Sequence, residues 1–179
     1  MHLSIPTTLA LAGLAASHGL VTKPATRAPG DATSTACGKT MANFYKADLT
    51  SYPEALLRSN PSGLKDGYDP QKCNLWLCKG YQFADNAANV QSYTVGQSVD
   101  MEVNIRIPHR GYANVSVVDT STNSVVGTPL LVWGDGYAAS AQPPADQTRF
   151  SVKIPAEAEG RCVEAGVCVS DYVPRGFVD

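Results

Sequence analysis

The sequence predicts a mostly β protein, an antiparallel β-sandwich with long loops and short helices. Three observations carry that expectation. Val99, Met101, Val103, Ile105 and Ile107 alternate with Asp100, Glu102, Asn104 and Arg106, the period of two that marks a strand with one buried face. Ala113, Val115 and Val117 alternate with polar neighbours towards Asp119, and Phe150, Val152 and Ile154 do so again. The segments joining these runs are rich in Pro, Gly, Ser and Thr, as in folds built from short antiparallel strands.

Residues 3–16 are an apolar, small-residue run, and Ala15 and Ser17 occupy the −3 and −1 positions of an A-x-A-like cleavage site. Residues 1–17 are therefore expected to be a signal peptide, although no Lys or Arg precedes the apolar run. Residues 19–46 are rich in Thr, Pro, Ala and Gly and read as extended loop, with Pro24 and Pro29 against helix. Residues 53–58 predict a short helix, with Pro53 near its first turn. Residues 59–72 read as turns, interrupted by Asn60-Pro61, Asp66-Gly67 and Asp69-Pro70. The strand from Val99 should end at Pro108, followed by a His109-Arg110-Gly111 connection. The strand ending at Asp119 should turn over 120–124 and return at Val125 and Val126, and the last strand should stop at Pro155. No internal repeat or low-complexity linker divides the chain, so 18–179 is expected to be one domain.

Composition narrows the function. The formal charge is −2, with no basic excess that would indicate nucleic acid or an anionic membrane surface. Beyond the signal run, no apolar stretch approaches a transmembrane length. Five cysteines behind a signal peptide indicate disulfides in an oxidising compartment. Their spacing pairs Cys73 with Cys78 and Cys162 with Cys168, leaving Cys37 unpaired. The zinc alternative lacks C-x-x-C spacing and enough histidines.

Of three histidines, His2 would leave with the signal. Cleavage after Ser17 would make His18 the first residue, giving it an α-amine as well as an imidazole. With His109 in a loop at a strand end, that supplies three nitrogens, enough for a T-shaped copper site. Taken alone, His109 reads equally as a solvent-facing loop histidine. A glycosidase would need two carboxylates flanking the bond, and none lies in a recognisable motif. A serine hydrolase would need a G-x-S-x-G elbow, which is missing from the sequence.

Several segments together resemble secreted fungal lytic polysaccharide monooxygenases with a chitin-binding type-4-like domain. They are His18-Gly19, the Pro24 to Arg27 segment, Ala36-Cys37-Gly38, the block from Lys72 through Cys73 and Cys78 to Gly80, and the block from Pro108-His109 to Ser116. The resemblance spans about 18–169, and a cellulose-active group is nearest. It implies an immunoglobulin/fibronectin-III-like sandwich with a flat copper-bearing face. It also implies a histidine brace for one copper ion, made by the amine and side chain of His18 and the side chain of His109. The implied activity is oxidative cleavage of cellulose or chitin. Its implied partners are an insoluble polysaccharide, an external electron donor and dioxygen or hydrogen peroxide. A non-catalytic carbohydrate-binding module or a copper-binding wall protein is the alternative.

Tyr45, Tyr52, Tyr68, Tyr112 and Tyr137 are candidates for stacking on sugars, while Trp76, between two cysteines, reads as core. Asn114-Val115-Ser116 is an N-glycosylation pattern. After Cys168 the chain departs from the family. No glutamine follows, and neither Tyr172 nor Phe177 sits in a matching context for an axial role. Residues 170–179 therefore form an atypical tail. Read-through at Val169-Ser170, whose codons can mimic a splice donor, and a naturally short variant are the two explanations. With an intact tail the protein is expected to be a secreted monomer.

Overall fold

The structure, a computed structural model, describes residues 18–119, 121, 122 and 124–158. The expected signal peptide, Cys162, Cys168 and the atypical tail lie outside the described residues.

Two antiparallel sheets pack as a sandwich. One contains β1 (His18–Lys23), β2 (Ser98–Ile107) and β5 (Arg149–Lys153) in the order β1-β2-β5. The other pairs β3 (Gly111–Asp119) with β4 (Ser124–Tyr137). The alternation in β2 is realised as Val99, Met101 and Val103 facing inward, with Asp100, Glu102 and Asn104 facing out. These inward residues join Val21, Val152 and Ile154 and meet Val115, Leu130, Leu131 and Trp133 of the other sheet. Burying such a side chain stabilises the fold by about 1.5–3 kcal/mol, so the shared apolar face fixes the register.

The expected strands, the short helix and the turns of 59–72 are present. The helix is α3 (Pro53–Ser59). The extended loop expected for 19–46 is not observed. That stretch holds β1, α1 (Asp31–Cys37) and α2 (Lys39–Ala47). Distant carboxylates explain the helices. Asp85 accepts hydrogen bonds from the N–H groups of Gly30, Ala32 and Thr33 at 3.0, 2.8 and 2.7 Å, capping α1. Asp66 accepts from Thr40 N–H at 2.6 Å, capping α2. These caps satisfy helix-start donors that have no intrahelical partner. Met41, Ala42 and Tyr45 supply the buried face of α2. Pro24 and Pro29 precede both helices and obstruct neither.

The helices and the 73–81 segment build a second apolar cluster around Cys37, Met41, Tyr45, Leu56, Cys73, Leu75 and Tyr81. A Cys37–Cys73 disulfide crosses it. The expected Cys73–Cys78 pair and the unpaired Cys37 are therefore incorrect. α1 and the turn after Asp69 bring Cys37 and Cys73 together at a Cα separation of 5.1 Å, a normal disulfide distance. Cys78 is also disulfide-bonded. Asn86 staples the segment after β1 to this unit: its amide donates to Ala28 O at 3.1 Å and to Gln82 O at 2.9 Å, and its oxygen accepts from Ala28 N–H at 2.8 Å. The guanidinium of Arg27 donates to Tyr81 O at 3.0 Å. A short helix, α4 (Ala145–Thr148), precedes β5. Among the described residues no helix is long and apolar enough to cross a membrane.

Candidate metal centre

The two histidines singled out by the sequence lie 91 residues apart, and the sheet brings their backbones close. β1 runs antiparallel to β2, with His18 opposite Ile107, the last residue of β2. Pro108 stops the ladder because it has no N–H, and His109 follows in the connection to β3. The first residue of β1 and the His109 loop thus share one end of the sandwich.

Two ion pairs brace that end. Arg110 reaches Asp135 of β4 at 3.2 Å, while the next residue, Gly111, pairs with Tyr137. Arg106 reaches Asp48 at 3.2 Å and the Thr50 hydroxyl at 3.4 Å, tying the segment after α2 to β2. Lys79 donates to Leu49 O at 2.8 Å, extending the brace to the second cluster. Both ion pairs are exposed and each contributes about 0–1 kcal/mol, so they orient loops more than they stabilise the fold. The sequence reading missed all four of these charged residues. The only available signal was that Arg106 and Arg110 flank His109.

The His109 ring is oriented. Its Nδ1 lies 3.1 Å from Arg110 O. A carbonyl oxygen can only accept, so Nδ1 carries the proton, and in the neutral ring Nε2 keeps its lone pair. A carbonyl that fixes the tautomer in this way is the usual outer support of a metal-binding histidine. Among the described residues no three His, Cys, Asp or Glu side chains gather around one point. A centre built on two imidazoles and an amine requires no such group. The donor set fits copper.

The tyrosine expectations divide. Tyr45, Tyr52 and Tyr137 are only 0%, 6% and 5% exposed and cannot face a polymer. Tyr45 lies in the second cluster, edge-on to Tyr81 with centroids 5.5 Å apart. Burial, the nearby Tyr81 and Glu54 push its hydroxyl pKa far above normal. Tyr52 receives a hydrogen bond from Arg58, and the Tyr137 hydroxyl donates to Gln147 O at 3.1 Å. Tyr68 and Tyr112 are half-buried. Trp76 corrects the opposite error: it is 50% exposed, and Leu75 fills the inward position beside it at 5%. An Asn74 turn, in which Trp76 N–H donates to Asn74 Oδ1 at 3.0 Å, sends the indole outward. Asn114 lies within β3, half-buried, accepting from the Ser116 hydroxyl at 2.9 Å.

The chain is thus a two-sheet sandwich with an oriented loop histidine beside the start of its first strand. Residues 18–167 match the family described as lytic polysaccharide mono-oxygenase, cellulose-degrading, and the chain belongs to that family. Its members carry out oxidative polysaccharide degradation. No curated protein matches the chain.

Proposed function

We propose that this chain is a secreted, copper-dependent polysaccharide monooxygenase domain. The copper would be held by the α-amine and imidazole of His18 and by the imidazole of His109. The pairing of His18 with Ile107 carries the reading, because it brings the two ligand positions to one end of the sandwich. The family match supports it by beginning at residue 18, where cleavage after Ser17 would leave a free amine.

Copper bound there supplies, with an external electron donor and dioxygen or hydrogen peroxide, the oxidation of a C–H bond beside a glycosidic linkage. The chain's own part is ligation and presentation. Arg110 O keeps the proton of His109 on Nδ1, which puts the lone pair of the neutral ring on Nε2. β1 pairing fixes the backbone of His18, and Arg110–Asp135 fixes the loop from the other sheet. Tyr112, at the start of β3, remains a candidate for sugar contact near this end.

Product analysis on several polysaccharides, with copper, ascorbate and protein beginning at His18, tests the reading. Oxidised oligosaccharides are expected. Polymer binding without oxidised products would instead identify a non-catalytic binding module.

A further inference from the structure

A groove of about 480 Å³ has a wall that includes Tyr68, Gln71, Lys72, Asn74, Trp76 and Thr122. Thr122 sits in the turn between β3 and β4, at the other end of β3 from Gly111. Nine residues of strand at ~3.3 Å each place that turn roughly 30 Å along the hairpin from the His109 loop. The groove volume falls in the roughly 300–1,000 Å³ span of small-molecule sites.

Its floor is built rigidly. Cys73 is fixed by the disulfide to Cys37, and Cys78 is also disulfide-bonded. Between them, Asn74 accepts from Trp76 N–H through its side chain and from Leu77 N–H through its carbonyl, at 3.0 and 3.1 Å. Leu75 anchors the turn in the second apolar cluster. The Tyr68 hydroxyl donates to Cys73 O at 3.3 Å, fixing the ring at the groove edge. Lys72 is paired with Asp69 at 3.1 Å, so charge is balanced locally and the wall selects neither a polyanion nor a polycation. The wall offers an exposed indole face surrounded by amide and hydroxyl groups. That surface fits a neutral polyhydroxylated ring, with its C–H face on the indole and its hydroxyls towards Gln71 and Asn74. Little ordering is needed on binding because the platform is preformed.

We propose that this groove is a second polysaccharide site, which binds a neutral β-1,4-linked pyranose chain on Trp76 and tethers the protein to polymer apart from the His18–His109 end. The inference rests on the polysaccharide reading of the family. It predicts that tethering adds to polymer binding by raising the local concentration of the other face.

Cellohexaose and chitohexaose binding to the metal-free protein tests it, together with depletion of the protein from solution by microcrystalline cellulose. Trp76→Ala should weaken oligosaccharide binding at least tenfold, and Trp76→Phe should hold it within a few-fold. The wild-type protein supplies a second readout that needs no variant. It has two tryptophans, and Trp133 packs against the core. Emission from exposed Trp76 should therefore respond to the sugar. Binding unchanged by Trp76→Ala, wild-type emission that does not respond to the sugar, or no binding of either sugar to the wild type, overturns the groove. Oxidised products alongside that result leave the proposed function standing. Trp76-dependent binding without oxidised products from any polysaccharide supports the groove and removes the proposed chemistry.

Discussion

Asp85 joins two remote parts of the chain through a single carboxylate. Burial disfavours its charge, but the Thr33 hydroxyl and the N–H groups of Thr33, Ala32 and Gly30 outweigh that and hold its pKa below the ordinary carboxylate range. A depressed folded-state pKa contributes stability above the unfolded value of about 3.9, and that contribution is lost as pH falls through the folded value. Asp85→Asn should therefore lower stability at neutral pH by about 1–2 kcal/mol. The gap from wild type should close as pH drops from 5 towards 2. Urea unfolding across that range would show it, and a gap independent of pH would remove the ionic part of the account. Gly80 is equally demanding. Its φ is +76°, and an added Cβ would lie 2.6 Å from Cys73 Sγ and 3.0 Å from Met41 Cε. Gly80→Ala should destabilise by about 2–3 kcal/mol, through both strain at positive φ and overpacking. Urea unfolding at neutral pH would measure the loss. A methyl group tolerated there would mean that the disulfide and Met41 can move aside.

Among the elements, β2, β3, β5 and the short helix α3 were legible, while β1, α1 and α2 were not. β2, β3 and β5 announce themselves through alternation, which depends only on local sequence and one buried face. α1 and α2 depend on Asp85 and Asp66, whose carboxylates arrive from 52 and 26 positions away for Thr33 and Thr40; no local pattern reports such a cap. The disulfide failed for the same reason. Nearness in sequence pointed to Cys73–Cys78, whereas the fold brings Cys37 and Cys73 together across 36 positions. At that separation the chain-entropy account gives about 3–4 kcal/mol of stabilisation. Non-reducing peptide mapping should recover a Cys37–Cys73 cross-linked peptide. The double variant Cys37→Ala/Cys73→Ala should lose stability of that order, with the larger effect on α1, α2 and the 73–81 segment. A mapped Cys73–Cys78 bond would reject the observed arrangement. Of the candidate site, the two histidines are proposed from local signals, a strand-ending Pro-His loop and a cleavage junction, and the structure adds the strand pairing that puts their backbones at one end. Tyrosine orientation was not legible, since ring burial is decided by packing from distant segments, as Tyr45 and Trp76 demonstrate in opposite directions.

At the scale of the whole molecule, the sandwich turns two positions distant in sequence into neighbours. The pairing of His18 with Ile107 fixes the backbone of the proposed ligand, and in the proposed centre the chemical state of the nitrogen at residue 18 is decisive. An α-amine with a reference pKa of about 7.7–8.0 can give up its proton to a metal near neutral pH. One further residue would convert it to an amide and remove it as a ready ligand, while leaving the strand pairing and both imidazoles in place. A ligand that binds only the folded state stabilises it by about 2.7 kcal/mol at a hundredfold excess over Kd. For a chain of this size that corresponds to a rise of roughly 5–10 °C in Tm. Protein beginning at His18 should show that rise with Cu(II). Protein carrying one extra residue should show little of it, and His109→Ala should also fall well short because one of three nitrogens is gone. Calorimetric titration with Cu(II) should rank the three proteins in the same way. Equal Cu(II) affinity and equal Tm shifts for the native and extended termini would exclude the amine as a ligand, and with it the proposed centre.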